Sequence, residues 1–181
     1  MRRGIMAAAG AFGVAALVWA AVAIADEVDC SGGGKQCNGT PFDDSITGSR
    51  KADGINAKAG HDETYADRGN DVVEAGAGND YVEGGKGDDK ISGGDDGDEF
   101  LIGGLWGGPG DDTIQGGKGT DELTGEGGKD VLLGGPDDDQ LDGSADNNTR
   151  DRLSCGPGSD VAIADIKDKV LSDCEDVIVE R

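Results

Sequence analysis

A nine-residue period constrains this chain more than any other feature of it. From Gly39 to Leu101, and again from Gly107 to Asp142, every block of nine carries Asp at position six and an apolar or β-branched residue at position eight. The aspartates are Asp44, Asp53, Asp62, Asp71, Asp80, Asp89 and Asp98, then Asp112, Asp121, Asp130 and Asp139. Their companions are Ile46, Ile55, Thr64, Val73, Val82, Ile91 and Phe100, then Ile114, Leu123, Leu132 and Leu141. Composition does not produce two registers that hold in every block. A short fixed period means one structural unit stacked on its neighbours, a solenoid.

The cleanest units run Gly84-Gly85-Lys86-Gly87-Asp88-Asp89-Lys90-Ile91-Ser92 and Gly107-Gly108-Pro109-Gly110-Asp111-Asp112-Thr113-Ile114-Gln115. Six turn-forming residues and a three-residue apolar-centred segment leave no room for a helix, so each unit is a tight turn and a very short strand. Glycine at positions one, two and four lets the turn take φ > 0 and brings its carbonyls close to a ligand. Two units make a coil of about eighteen residues whose position-eight side chains face inward from two sheets. Eleven units would then span about five and a half coils, roughly 26 Å at ~4.8 Å per coil.

Such stacking sets the aspartates of alternate repeats in columns. At ~5 Å two bare carboxylates repel by about 1 to 3 kcal/mol, and repeated along two columns this rivals the ~5–15 kcal/mol net stability of a domain. A cation in the turns would remove the repulsion. No His or Cys sits at a fixed repeat position, so the ligands on offer are carboxylate and carbonyl oxygens, which suit hard ions. Calcium accepts six to eight flexible oxygen ligands, whereas magnesium demands near-octahedral geometry. The expectation is several Ca²⁺ ions, each between one turn and the turn a coil above, held by the eleven position-six aspartates and turn carbonyls, with Asp160 repeating the pattern downstream. Aspartate as an ordinary turn former explains Asp near a turn but not at one invariant phase.

The unit resembles the repeat-in-toxin (RTX) nonapeptide GGxGxDxUx, over roughly residues 39–163. That resemblance implies an all-β fold, a parallel β-roll loaded with calcium. Asp151-Arg152-Leu153-Ser154-Cys155-Gly156-Pro157-Gly158 and Asp173-Cys174-Glu175-Asp176-Val177 are similar to the ends of small exported calcium-binding repeat proteins of bacteria. Relatives often carry this module beside a protease, lipase, epimerase or toxin domain, for which this chain has no room.

The pattern frays in places. Phe42, Lys51 and Lys58 stand where glycine is expected, and Asp96 and Asp137 occupy position four. Residues 102–106 are read as an extra loop, with Trp106 packing back over Phe100 and the core, a partner contact being the alternative. Residues 143–154 read as an interrupted unit in which Asp151 and Leu153 take the Asp and apolar phases. The expected organisation is a signal peptide at 1–25, an N-terminal cap at 26–38, the repeat roll at 39–154, and a terminal coil and cap at 155–181.

Arg2 and Arg3, an apolar run from Ile5 to Ile24, and Ala23-Ile24-Ala25 have the anatomy of a secretory signal, with an uncleaved membrane anchor as the alternative. Four cysteines in an exported chain favour two disulfides. Cys155 and Cys174 lie about one coil apart, hence within reach, while pairing either with Cys30 or Cys37 would bridge the whole stack. The expected bonds are Cys30–Cys37 and Cys155–Cys174. Removing the first segment shifts the formal net charge from −22 to −24. Such a surface repels nucleic acid and anionic membranes, so the expected location is extracellular and the expected partner calcium, with a glycan or protein partner open.

Catalysis needs a nucleophile, base and orienter, or a metal with an open position. The single histidine, His61, falls at a variable solvent-facing slot, and Gly85-Lys86 and Gly117-Lys118 lack the Ser or Thr of a phosphate loop. The reading is therefore a non-enzymatic calcium-binding module. An adhesin-like module that binds glycan or a cell surface is the alternative, and a hydrolase a more distant one.

Overall fold

The computed structural model describes residues 26–30, 36–98, 104–145 and 149–180. The expected signal segment at 1–25 and the position-eight and position-nine residues Phe100 and Leu101 lie outside them. The described chain is all strand, and successive strands alternate between two parallel sheets. One sheet has nine strands, from Asp26–Asp29 to Asp176–Val179, and the other eight, from Gln36–Asn38 to Lys169–Val170. The result is a β-solenoid of about eight turns, the parallel β-roll expected from the period.

Each strand pairs with the strand two repeats away, so Ile46, Thr64, Val82, Leu105, Leu123, Leu141 and Ala162 form one inward ladder. Ile55, Val73, Ile91, Ile114, Leu132 and Leu153 form the other. Strand alternation places positions six, eight and one inside and seven and nine outside. All of these ladder side chains are buried, as are Ala57, Ala66 and Ala75 at position one. Each large aliphatic contributes roughly 1.5–3 kcal/mol by leaving water. The core is only two facing rows thick, so the backbone ladders must hold much of the architecture.

The extra residues fall earlier than the sequence suggests. Gly104–Pro109 is a strand, and Leu105 pairs with Val82 below and Leu123 above, filling the core slot that counting assigns to Phe100. Asp98 keeps its own phase, so the five inserted residues are 99–103, not 102–106. The reason is the distance to the next turn: in every repeat position eight stands two residues before the next position one, and Leu105 stands two before Gly107. Trp106 consequently points outward and stacks on Tyr81, with ring centroids 4.9 Å apart, instead of covering the core.

Both ends continue the stack. Val28 pairs with Ile46 and Cys37 with Ile55 at one end, and Leu153 with Val170 and Ala162 with Val177 at the other. The disulfides are the expected ones: Cys30–Cys37, with Cα atoms 6.0 Å apart, and Cys155–Cys174, at 5.1 Å.

Thr64 is the exception in the core ladder. It is fully buried and its hydroxyl has no hydrogen-bond partner, a desolvation penalty of about 1–3 kcal/mol. Thr64→Val keeps the β-branched shape and removes the orphan. Chemical denaturation is expected to show the variant more stable by about 1 kcal/mol; equal or lower stability would mean that the hydroxyl is satisfied in solution.

Candidate metal centre

Position six is where each turn re-enters a sheet, and its side chain faces inward. There the Asp side chain does two different things with its two oxygens. Oδ1 accepts the backbone N–H of the aspartate one coil earlier, which ties neighbouring coils at their corners. In the first column these bonds join Asp44 to Asp62, Asp62 to Asp80, Asp80 to Asp98, Asp98 to Asp121, Asp121 to Asp139 and Asp139 to Asp160, at 2.7–3.0 Å. In the second they join Asp53 to Asp71, Asp71 to Asp89, Asp89 to Asp112, Asp112 to Asp130 and Asp130 to Asp151, at 2.7–2.8 Å.

Oδ2 is left over. In Asp62, Asp71, Asp80, Asp89, Asp98, Asp112, Asp121, Asp139 and Asp160 it is buried without a hydrogen-bond partner. In the later repeats the space it occupies is opened by the glycine at position one, where the repeats of Asp62, Asp71 and Asp80 carry Ala57, Ala66 and Ala75. A Cβ on Gly93, Gly107, Gly116 or Gly134 would stand 2.2–2.5 Å from Oδ2 of Asp98, Asp112, Asp121 or Asp139 respectively. Asp44 and Asp53 differ, because their Oδ2 atoms accept the N–H groups of Thr40 and Ser49.

The turns supply the second kind of oxygen. Gly87 at position four has φ of 135°, and a Cβ there would stand 1.6 Å from the carbonyl oxygen of Gly69, one coil below. Gly117 at position two has φ of 131° and meets the Gly94 carbonyl at 1.9 Å in the same way. Turn carbonyls thus project along the stack towards the next coil, and a Cβ at Gly87 or Gly117 would collide with them. Lys58, Asp67 and Glu126 at position two, and Asp96 and Asp137 at position four, hold positive φ without being glycine.

The carboxylates do not converge on one another. Among the described residues no group of three or more His, Cys, Asp or Glu side chains gathers as a metal cluster. Each turn offers one anionic oxygen together with backbone carbonyls. This donor set is all oxygen, hard and low in charge, which fits calcium and not zinc or copper. An orphaned anionic oxygen, buried at turn after turn, is the observation that calls for a cation. His61, by contrast, is exposed and accepts the Asn79 N–H at Nδ1.

Burial pushes the carboxyls upward. Asp98 rises to about 8, Asp112 and Asp139 to about 7, and Asp62, Asp71, Asp80 and Asp121 to about 6. In each case desolvation is the largest cause, and the N–H bond to Oδ1 opposes it. Asp89 and Asp160 are raised for the same reason.

Three acidic residues continue these columns beyond the glycine-marked repeats. Asp151 is fully buried, and its N–H donates to Asp168 Oδ1 at 2.9 Å. The N–H of Asp160 donates to Glu175 Oε2 at 3.1 Å. Asp168 and Glu175 lack the glycines of a repeat, but each begins an acid-x-Val triplet, Asp168-Lys169-Val170 and Glu175-Asp176-Val177, and that triplet is the signal that marks them.

Comparison with known proteins gives one family. The model described as RTX calcium-binding nonapeptide repeat (4 copies) matches residues 38–73, 65–100, 94–132, 106–141 and 119–149. No curated protein matches the chain.

The raised carboxyls fix the sign of a pH effect. A folded-state value above the unfolded ~3.9 means that the cation-free fold binds more protons than the unfolded chain, so its stability falls as pH rises. This contribution is complete below about pH 4 and is lost through pH 6–8. In chelator, far-UV circular dichroism is expected to show more folded chain at pH 5 than at pH 8, and added calcium should reduce the difference. A cation-free chain equally stable at both values would show that the buried carboxyls carry no such shift.

Proposed function

Since the chain belongs to the RTX calcium-binding nonapeptide repeat family, we propose that it is a secreted module whose β-roll is completed by several calcium ions bound along its two turn columns. The observation that carries this reading is the row of buried Oδ2 atoms without partners. Calcium would be held by the position-six carboxylates from Asp62 to Asp160 and by the position-two and position-four carbonyls of neighbouring turns. It supplies the positive charge that lets these aspartates stay ionised inside the fold. Asp44 and Asp53 belong to the same columns, but a cation there would have to displace the Thr40 and Ser49 N–H groups.

Calcium-driven folding arises from the same balance. Without the ion, each column holds buried charge at neutral pH; with it, the charge is compensated and the coils lock. Extracellular modules bind calcium at ~10⁻⁴–10⁻³ M, a range in which the chain is unfolded where calcium is scarce and folded outside the cell. Two disulfides support an oxidising location, and the formal net charge of −22 would be tolerated best with bound cations.

Far-UV circular dichroism of the chelated chain, titrated with calcium and separately with magnesium, should show a cooperative gain of β signal with calcium alone. Folding to the same extent in chelator at pH 7.5 would overturn the reading. A single substitution tests the site itself: Asp121→Asn keeps the Oδ1 acceptor for the Asp98 N–H and removes the charge from the orphan oxygen. The variant is expected to bind fewer calcium ions by calorimetry and, in chelator, to keep more β signal than wild type as pH is raised from 5 to 8. Unchanged stoichiometry would remove Asp121 from the ligand set.

A further inference from the structure

The outer face of the nine-stranded sheet carries a feature that calcium binding does not use. Aromatic residues are scarce, yet both tyrosines and the single tryptophan of residues 26–181 meet on one patch. They lie on three consecutive strands, Glu63–Asp67, Tyr81–Glu83 and Gly104–Pro109. Tyr65 and Tyr81 have ring centroids 5.5 Å apart at 49°, and Tyr81 and Trp106 4.9 Å apart at 35°. Gly104 is opposite Tyr81 in the ladder, and a Cβ on it would stand 2.2 Å from Trp106 Cη2. Only glycine leaves room for the indole to lie back over its own strand.

Glutamates fill the alternate squares of this face. Glu63 is paired with Tyr81, and Glu83 lies between Tyr65 and Trp106 in the register. The Tyr65 hydroxyl donates to Glu63 Oε1. Burial, then the carboxylates of Glu83, Glu63 and Glu126, push the Tyr81 hydroxyl upward. No lysine or arginine lies on these three strands. Calcium in the turns would neutralise the position-six aspartates but leave these outward glutamates charged.

Aromatic faces present negative electrostatic potential and attract cations lying over them, by about 0.5–1 kcal/mol at exposed sites. Flanking carboxylates strengthen the preference, and a guanidinium adds planar stacking on the rings. Sugar rings would stack best on a flat platform, whereas these planes are tilted by 35° and 49°. We propose that the Tyr65, Tyr81 and Trp106 face, with Glu63 and Glu83, docks the arginine and lysine side chains of a basic protein segment. This assignment rests on the fold and does not depend on which turns hold calcium.

The test uses the calcium-loaded chain with Trp19→Phe, so that emission reports Trp106 alone, and a hexa-arginine peptide as probe in ~0.15 M salt, where diffuse attraction is screened beyond about 8 Å. Saturable change in Trp106 emission is expected. Glu63→Gln with Glu83→Gln should weaken binding about tenfold or more, and Tyr81→Ala should weaken it measurably with both glutamates in place. Glu74→Gln, on the opposite sheet, should leave it unchanged. Circular dichroism in calcium confirms that each variant is folded. The proposal is overturned by absence of a saturable change, by equal weakening from Glu74→Gln, by full affinity in Tyr81→Ala, or by a neutral oligosaccharide that shifts the emission when the peptide does not.

Discussion

Each turn of this solenoid buries a carboxylate whose two oxygens meet different fates. One takes the N–H of the aspartate a coil below, at 2.7–2.8 Å through most of the stack, so the coil-to-coil register is written in side-chain bonds as well as in the ladders. The other, in Asp62, Asp98, Asp121 and most of their column partners, meets no donor. Apolar burial cannot replace that missing partner, because the core is two rows of single side chains. The preference for a small residue at position one, the value of carbonyls projecting along the stack and the need for an added positive charge all descend from this one oxygen.

The same arrangement distributes stability along one dimension, since each coil touches only the coils beside it. An aspartate inside a column is both donor and acceptor, whereas the terminal ones depend on the segments that flank the repeats. Asp168 and Glu175 supply that continuation at one end, and the two disulfides tie down the first and last coils, where a neighbour is missing. The last strand still leaves Val177, Ile178 and Val179 about half exposed.

Much of this is legible in the sequence because a stacked coil converts spacing directly into position. The phase of Asp and of its apolar companion predicts which side chains enter the core, and a separation of about one coil predicts the Cys155–Cys174 bond. Ambiguity enters where the spacing breaks. Counting forward from Gly93 assigns the core slot to Phe100, counting back from Gly107 assigns it to Leu105, and the ladder to Val82 and Leu123 decides for Leu105. Asp168 and Glu175 are hidden because their turns carry none of the glycines that mark the others. The division of labour between Oδ1 and Oδ2 depends on which N–H faces the corner, and no spacing encodes that. The aromatic patch is equally silent in the chain, since Tyr81 stands at position seven while Tyr65 and Trp106 stand at nine.

Strand alternation between the two sheets also sets how such a chain can change length. Losing the repeat between Tyr65 and Tyr81 would carry every later strand to the opposite sheet, separating the two rings and exchanging the two aspartate columns downstream. Losing two would keep every residue on its own face. The quantum of evolutionary growth or shrinkage is therefore the full coil of two repeats, although the motif repeats at half that length. Additions of other sizes must leave the flanking strands in their own sheets and phases, as the five extra residues between Asp98 and Gly104 do, across which aspartates joined by a hydrogen bond stand 23 residues apart instead of 18.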